Sequence, residues 1–214
     1  MILTTLKART AAFLGDPDQT RYSAVYDNNI NDAQKQFALD SNALFKDKAY
    51  TTVAGTSTYS LPTDFIVEDT VTYDGLPLKP VSRHTLYQLY PGTDWTTLEG
   101  TPTHYMVDPE EANLVLRLIP EPQEAKTVSM RYYPLPADVS AAGDVVLNSS
   151  TLLVQFHLGI AALAAWLTLQ SEIVTPEIQA KSREMMKIYN DAVSKAIEKF
   201  GNTKSEPIRI RPKQ

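Results

Sequence analysis

Phe65-Ile66-Val67-Glu68-Asp69-Thr70-Val71-Thr72-Tyr73-Asp74-Gly75-Leu76-Pro77-Leu78 is the stretch on which the fold turns. An Asp-Gly pair between two extended segments is the strongest short-range hairpin signal, because both central positions of the tight turn want positive φ. Phe65, Val67, Val71 and Tyr73 share one face of the incoming strand at a period of two, and Leu76 to Val81 is the predicted return strand. Upstream, residues 50–61 are rich in Thr, Tyr and Val around Gly55. Downstream, Leu114, Leu116 and Leu118 alternate with Val115, Arg117 and Ile119, and Val128, Met130 and Tyr132 alternate with Ser129, Arg131 and Tyr133. Between these strands the pattern predicts a short helix capped by Ser82. It also predicts a loop over 91–103 with Gly92-Thr93-Asp94-Trp95 as an exposed tip, and a strand over His104 to Val107.

Outside this block the period changes to that of helices. Ile2, Leu6, Phe13 and Leu14 lie on one helical face that stops at Gly15-Asp16-Pro17. Tyr22, Val25, Tyr26, Asn29, Ile30, Ala33 and Phe37 predict a second helix over 21–46, with Thr20 or Ser23 as its cap. After Pro134 and Pro136, Ser149 or Ser150 caps an apolar helix from Thr151 to Glu172. Pro176 then opens another, with Ile178, Ser182, Met185, Met186, Tyr189, Val193, Ile197 and Phe200 on one face and Gly201 at its end. The predicted fold is therefore α+β. An antiparallel helical bundle (1–48 and 137–202) is interrupted by an inserted, mainly antiparallel β domain (49–136), a sandwich or a small barrel, and is followed by an extended tail (203–214). Trp166, Tyr189 and Phe200 are expected in the core or at a subunit interface.

Composition excludes several kinds of chemistry. Cysteine is absent, which removes disulfides and thiolate metal sites, and without a leader-like opening the chain reads as an intracellular product. The run from Thr151 to Leu169 approaches membrane-spanning length, but Gln155, His157 and Gly159 and the lack of flanking Lys/Arg anchors fit burial against protein. His84, His104 and His157 have no ligand-type spacing, so no metal is expected. With eight glycines and no nucleophile elbow, P-loop or dinucleotide fingerprint, neither a cofactor nor catalysis is expected. Asp94 and Asp108 read as solvated turn carboxylates rather than an acid–base pair. Tyr87, Tyr90, Trp95 and Tyr105 read as packing aromatics, with a sugar-stacking surface as the rival.

Net charge is −5, yet Lys204, Arg209, Arg211 and Lys213 against Glu206 make the last eleven residues +3 and leave −8 for residues 1–203. A body of that sign repels DNA. In the tail, Ile208-Arg209-Ile210-Arg211 stands between Pro207 and Pro212, so it is extended rather than helical. Two readings stay open for it: a solvated end, or a strand-adding peptide with Ile208 and Ile210 in pockets and Arg209 and Arg211 on carboxylates.

The linear order of these pieces resembles the head-to-tail adaptor (connector or neck) proteins of tailed bacteriophages. The resembling pieces are Phe13-Leu14-Gly15-Asp16, Asn29-Ile30-Asn31-Asp32-Ala33, Tyr59-Ser60-Leu61-Pro62-Thr63-Asp64-Phe65 and Tyr73-Asp74-Gly75-Leu76-Pro77-Leu78. Further along come Thr101-Pro102-Thr103-His104-Tyr105 and Leu116-Arg117-Leu118-Ile119-Pro120-Glu121-Pro122, leading to Arg131-Tyr132-Tyr133-Pro134. The resemblance implies a structural protein of the virion neck, made in the host cytoplasm and forming a ring, usually of twelve copies. Such a ring sits between the portal and the tail or nozzle proteins, and DNA transits its channel without specific binding. It further implies that the C-terminal segment docks on the portal, which casts Ile208, Arg209, Ile210 and Arg211 as the portal contacts. The alternative is a tail-associated β-domain module for glycan or receptor, and a third reading is an enzyme with a carboxylate cleft.

Overall fold

The computed structural model describes residues 2–110, 113–149, 156–173 and 175–200. They divide into a unit that runs to Leu44 and resumes at Leu135, and a second unit, Phe45–Pro134. In chain order the elements are α1 (Leu3–Leu14), α2 (Tyr26–Ser41), β1 (Lys46–Thr51), β2 (Thr58–Ser60), β3 (Phe65–Tyr73), β4 (Leu76–Pro77) and β5 (Lys79–Pro80). Next come α3 (Arg83–Leu89), β6 (His104–Glu110), β7 (Asn113–Ile119), β8 (Thr127–Pro134), α4 (His157–Leu169) and α5 (Pro176–Phe200).

In the first unit, α4 buries every residue from Ile160 to Ala165. A helix apolar on all sides must be surrounded, and α1, α2 and α5 pack around this one. Leu3, Leu6, Ile30, Phe37 and Tyr189 join Ile160 and Leu163 in one cluster, while Ala11, Leu14, Tyr26 and Met185 join Ala162, Ala165 and Leu169 in another. The predicted stop of α1 holds: Gly15 takes φ 73 and donates its N–H to the Ala12 carbonyl. α2 is shorter than predicted, because residues 21–25 are turns and left-handed Asn42 (φ 49) closes the helix. Neither Thr20 nor Ser23 caps it. The Asp16 carboxylate orders the connector instead, accepting from the Thr20 and Arg21 N–H groups and, at 2.8 Å, from the Tyr26 hydroxyl. Burial opposes that charge, but the donors outweigh it and hold the carboxyl below its ordinary value. The predicted start of α4 at Thr151 lies outside the described residues. Among the described residues no helix is long and apolar enough to cross a membrane.

The second unit is a sandwich of two four-stranded sheets, ordered β1-β8-β3-β4 and β2-β7-β6-β5. Val71, Tyr73, Val128, Met130 and Tyr132 from the first share one core with Tyr105, Leu116 and Leu118 from the second. At the hairpin, Asp74 (φ 48) and Gly75 (φ 80) form the predicted two-residue turn, with Tyr73 opposite Leu76. The return strand does not run on to Val81. The Leu78 N–H donates to Val71 in the first sheet, whereas the Lys79 and Val81 N–H groups donate to Thr103 and Tyr105 in the second. Pro77 and Pro80 have no N–H to give, so the remaining donors divide between the sheets and the chain steps across. Val67 is exposed, not inward as predicted. The register slips between Glu68 and Thr70, and this extra residue turns Val67 over; a second slip between Phe65 and Val67 returns Phe65 to the core.

Trp95 departs from the exposed-tip expectation and follows the packing one. The outer face of β6 and β7 carries Met106 and Ile119, which need a cover that the seven-residue α3 supplies only in part through Leu86. The loop folds its indole over the same patch, leaving Trp95 4% exposed. α3 itself starts as predicted, with the Ser82 hydroxyl accepting from the Thr85 N–H.

Candidate assembly surfaces

After Pro134 the chain re-enters the helical unit as irregular backbone as far as a 3-10 turn at Val146–Ser149. Polar backbone groups there need partners, and two amides of α2 provide them. Asn31 donates to the Val139 carbonyl at 3.0 Å and accepts its N–H at 2.8 Å. Gln34, 0% exposed, donates to the Ala137 carbonyl at 2.9 Å and accepts the Leu147 N–H at 3.1 Å. The start of α1 holds the same segment, through the Leu3 N–H on Asp144 and the Thr4 hydroxyl on Ala142. Sequence reasoning missed this clamp. Its one local signal is a pair of amides three residues apart, on one side of α2, between apolar positions Ile30, Ala33 and Phe37.

A groove of about 340 Å³ opens between α4 and α5, lined by Phe156, Leu158, Gly159, Ile188, Asp191, Ala192 and Lys195. Its floor is the contact of Gly159 with Ala192. A Cβ on Gly159 would stand 2.5 Å from the Ala192 Cβ, so any side chain there pushes the helices apart. Gly159→Ala is expected to lower stability by about 1–2 kcal/mol, overpacking outweighing the gain in helix propensity. Adding Ala192→Gly moves the methyl to the other helix and should return the midpoint of urea unfolding close to the parent. If the double variant is no more stable than Gly159→Ala alone, the close approach is not the cause.

The side chains weighed for chemistry are engaged structurally. Asp108, 2% exposed, accepts from Arg83 Nη2 on both carboxylate oxygens, at 2.6 and 2.7 Å, and from Arg83 Nε at 3.2 Å, and it lies 3.5 Å from Arg117 Nε. This anchors α3 to the sheet. Asp94 accepts from the Thr96 N–H and hydroxyl in its own turn. His84, His104 and His157 sit on α3, β6 and α4, and among the described residues no three His, Cys, Asp or Glu side chains gather to hold a metal. Tyr87 is exposed but meets the buried Trp95 edge to face, so Tyr87, Tyr90 and Trp95 form no open platform.

A family model described as SU10 adaptor protein matches residues 1–211. The chain belongs to this family. It is thus a structural adaptor of a bacteriophage, a virion component that works by contact with other phage head and tail proteins. No curated protein matches it. Of the adaptor's candidate contact residues, Ile208, Arg209, Ile210 and Arg211 lie outside the described residues. Tyr189 is buried and donates its hydroxyl to Asp40; burial and that carboxylate push its pKa well up, keeping it a neutral donor. Trp166 is half-buried against both clusters of the helical unit. Phe200 is half-buried too, its ring 6.0 Å from that of Phe156.

Proposed function

We propose that this adaptor is a head-to-tail connector, a closed ring of twelve copies that joins the portal to the tail or nozzle proteins and continues the DNA channel. The observation that carries this reading is the extent of the family match. The match runs from residue 1 to residue 211, so its range takes in both parts of the helical unit, the β insertion and the Ile-Arg tail. In this reading the helical unit builds the ring wall, the β insertion meets the tail side, and Trp166 and Phe200, both partly exposed, contact neighbouring copies. Ile208 and Ile210 fill pockets on the portal while Arg209 and Arg211 meet its carboxylates. The −8 charge of residues 1–203 suits a channel through which DNA slides without sticking. The glycan-binding alternative needs an open aromatic platform, and Trp95 is buried.

Added to portal, the purified chain is expected to form rings visible by electron microscopy, each near twelve times 23.8 kDa. Deleting residues 203–214 should cut ring recruitment at least about tenfold, since the ordering of such a segment on its partner holds the contact. Unchanged recruitment of the truncated chain sinks the tail assignment. No rings with either chain sinks the connector reading itself.

A further inference from the structure

We propose that the groove between α4 and α5 is the resting seat of the chain's own C-terminal segment, with Ile208 and Ile210 covering Leu158 and Ile188 until a portal draws the segment away. The inference rests on the portal-docking reading above and adds a regulation to it.

The groove opens at the start of α4, ahead of the fully buried middle of that helix. Leu158 is 44% exposed, while Ile160 to Ala165 are all buried, and with Gly159 against Ala192 no side chain of either helix fills the floor. Its walls are apolar, from Phe156, Leu158, Ile188 and Ala192, and its only charged lining is Asp191 and Lys195 among the described residues. The occupant begins at its edge. α5 ends at Phe200, whose ring packs on Phe156, itself a lining residue, and residues 201–214 follow.

Reach and chemistry both fit. Ala192 lies eight residues back from Phe200 along α5, about 12 Å at the helical rise. The seven residues from Gly201 to Pro207 span up to about 23 Å, and Gly201-Asn202 is suited to a reversal. Alternation then turns Ile208 and Ile210 to one side and Arg209 and Arg211 to the other. On the rim, among the described residues Asp191 pairs only with Lys195, at 2.7 Å, with the two side chains 62% and 64% exposed. Such a pair is weak, and an arginine fork competes well for the carboxylate. A segment docked nine times in ten in the free chain lowers its apparent affinity for portal about tenfold.

The test is methyl NMR on the full chain, beside the variant I208S/I210S. Expected are nuclear Overhauser contacts from the Ile208 and Ile210 δ-methyls to the methyls of Leu158 and Ile188, unchanged on dilution, with shifts at both groove residues in the variant. The idea is overturned if those contacts are missing and the two spectra coincide at Leu158 and Ile188. It is equally overturned if the contacts arise only between differently labelled chains in a mixed sample, since a second copy is then the occupant. The regulatory half is tested with L158D, its fold checked by amide spectra and its tail intact. It should bind portal about tenfold more tightly, and unchanged or weaker binding overturns the regulation. Loss of the portal reading shows up separately, as portal binding by the chain truncated at 203 that equals that of the full chain.

Discussion

Phe37→Ala is expected to destabilise the helical unit by about 3–5 kcal/mol, the cost of emptying a large buried aromatic site. Phe37 is fully buried on α2, its ring 6.0 Å from Phe156 and 6.3 Å, edge to face, from Tyr189. Both partners follow the β insertion in the chain, so the site measures how strongly the two parts of the helical unit hold each other. None of the β-sandwich core residues belongs to this cluster. Residue-resolved hydrogen exchange should therefore report faster opening of α2, α4 and α5, with the protection of β7 and β8 retained. A loss below about 1 kcal/mol, or equal loosening of both units, contradicts the packing described.

Gln34→Leu should cost about 2–4 kcal/mol although leucine is apolar and close in size. The amide serves the Ala137 carbonyl, the Leu147 N–H and Asn31 Oδ1 together. Leucine leaves buried polar groups without partners, at about 1–3 kcal/mol each, partly relieved by relaxation of the segment. Gln36, two residues on and exposed, bonds, among the described residues, only Asp40 in its own helix, so Gln36→Leu should stay within about 0.5 kcal/mol. Urea midpoints for the two variants decide the matter. Equal effects would mean that the clamp contributes nothing beyond helix propensity.

These two positions also mark how far the sequence could be read. Phe37 declares itself through its spacing from Ile30 and Ala33, whereas Gln34 lies among the same apolar residues and carries no local sign of its partner. The candidate site follows the same division. The Ile-Arg tail is visible as composition, but the groove beside the end of α5 is not, because a groove is a relation between two helices.

Several roles decided within a few residues of chain were legible in the sequence by itself, although the cap and start of α2 were not. Asp74-Gly75 makes its turn, Gly15 stops α1, Ser82 starts α3, and Val128, Met130 and Tyr132 face inward by alternation. From those local rules the α+β class and the order of elements follow. Tertiary structure alone decided the rest. Val67 faces out because of an added residue two positions further on, whose placement depends on β8. Trp95 is buried because β6 and β7 present an apolar outer face. Gln34 is a clamp because Leu147, 113 residues away, needs an acceptor. Each of these outcomes depends on satisfying a donor or covering an apolar surface supplied by a distant segment, and periodicity along one strand or helix carries no information about that segment.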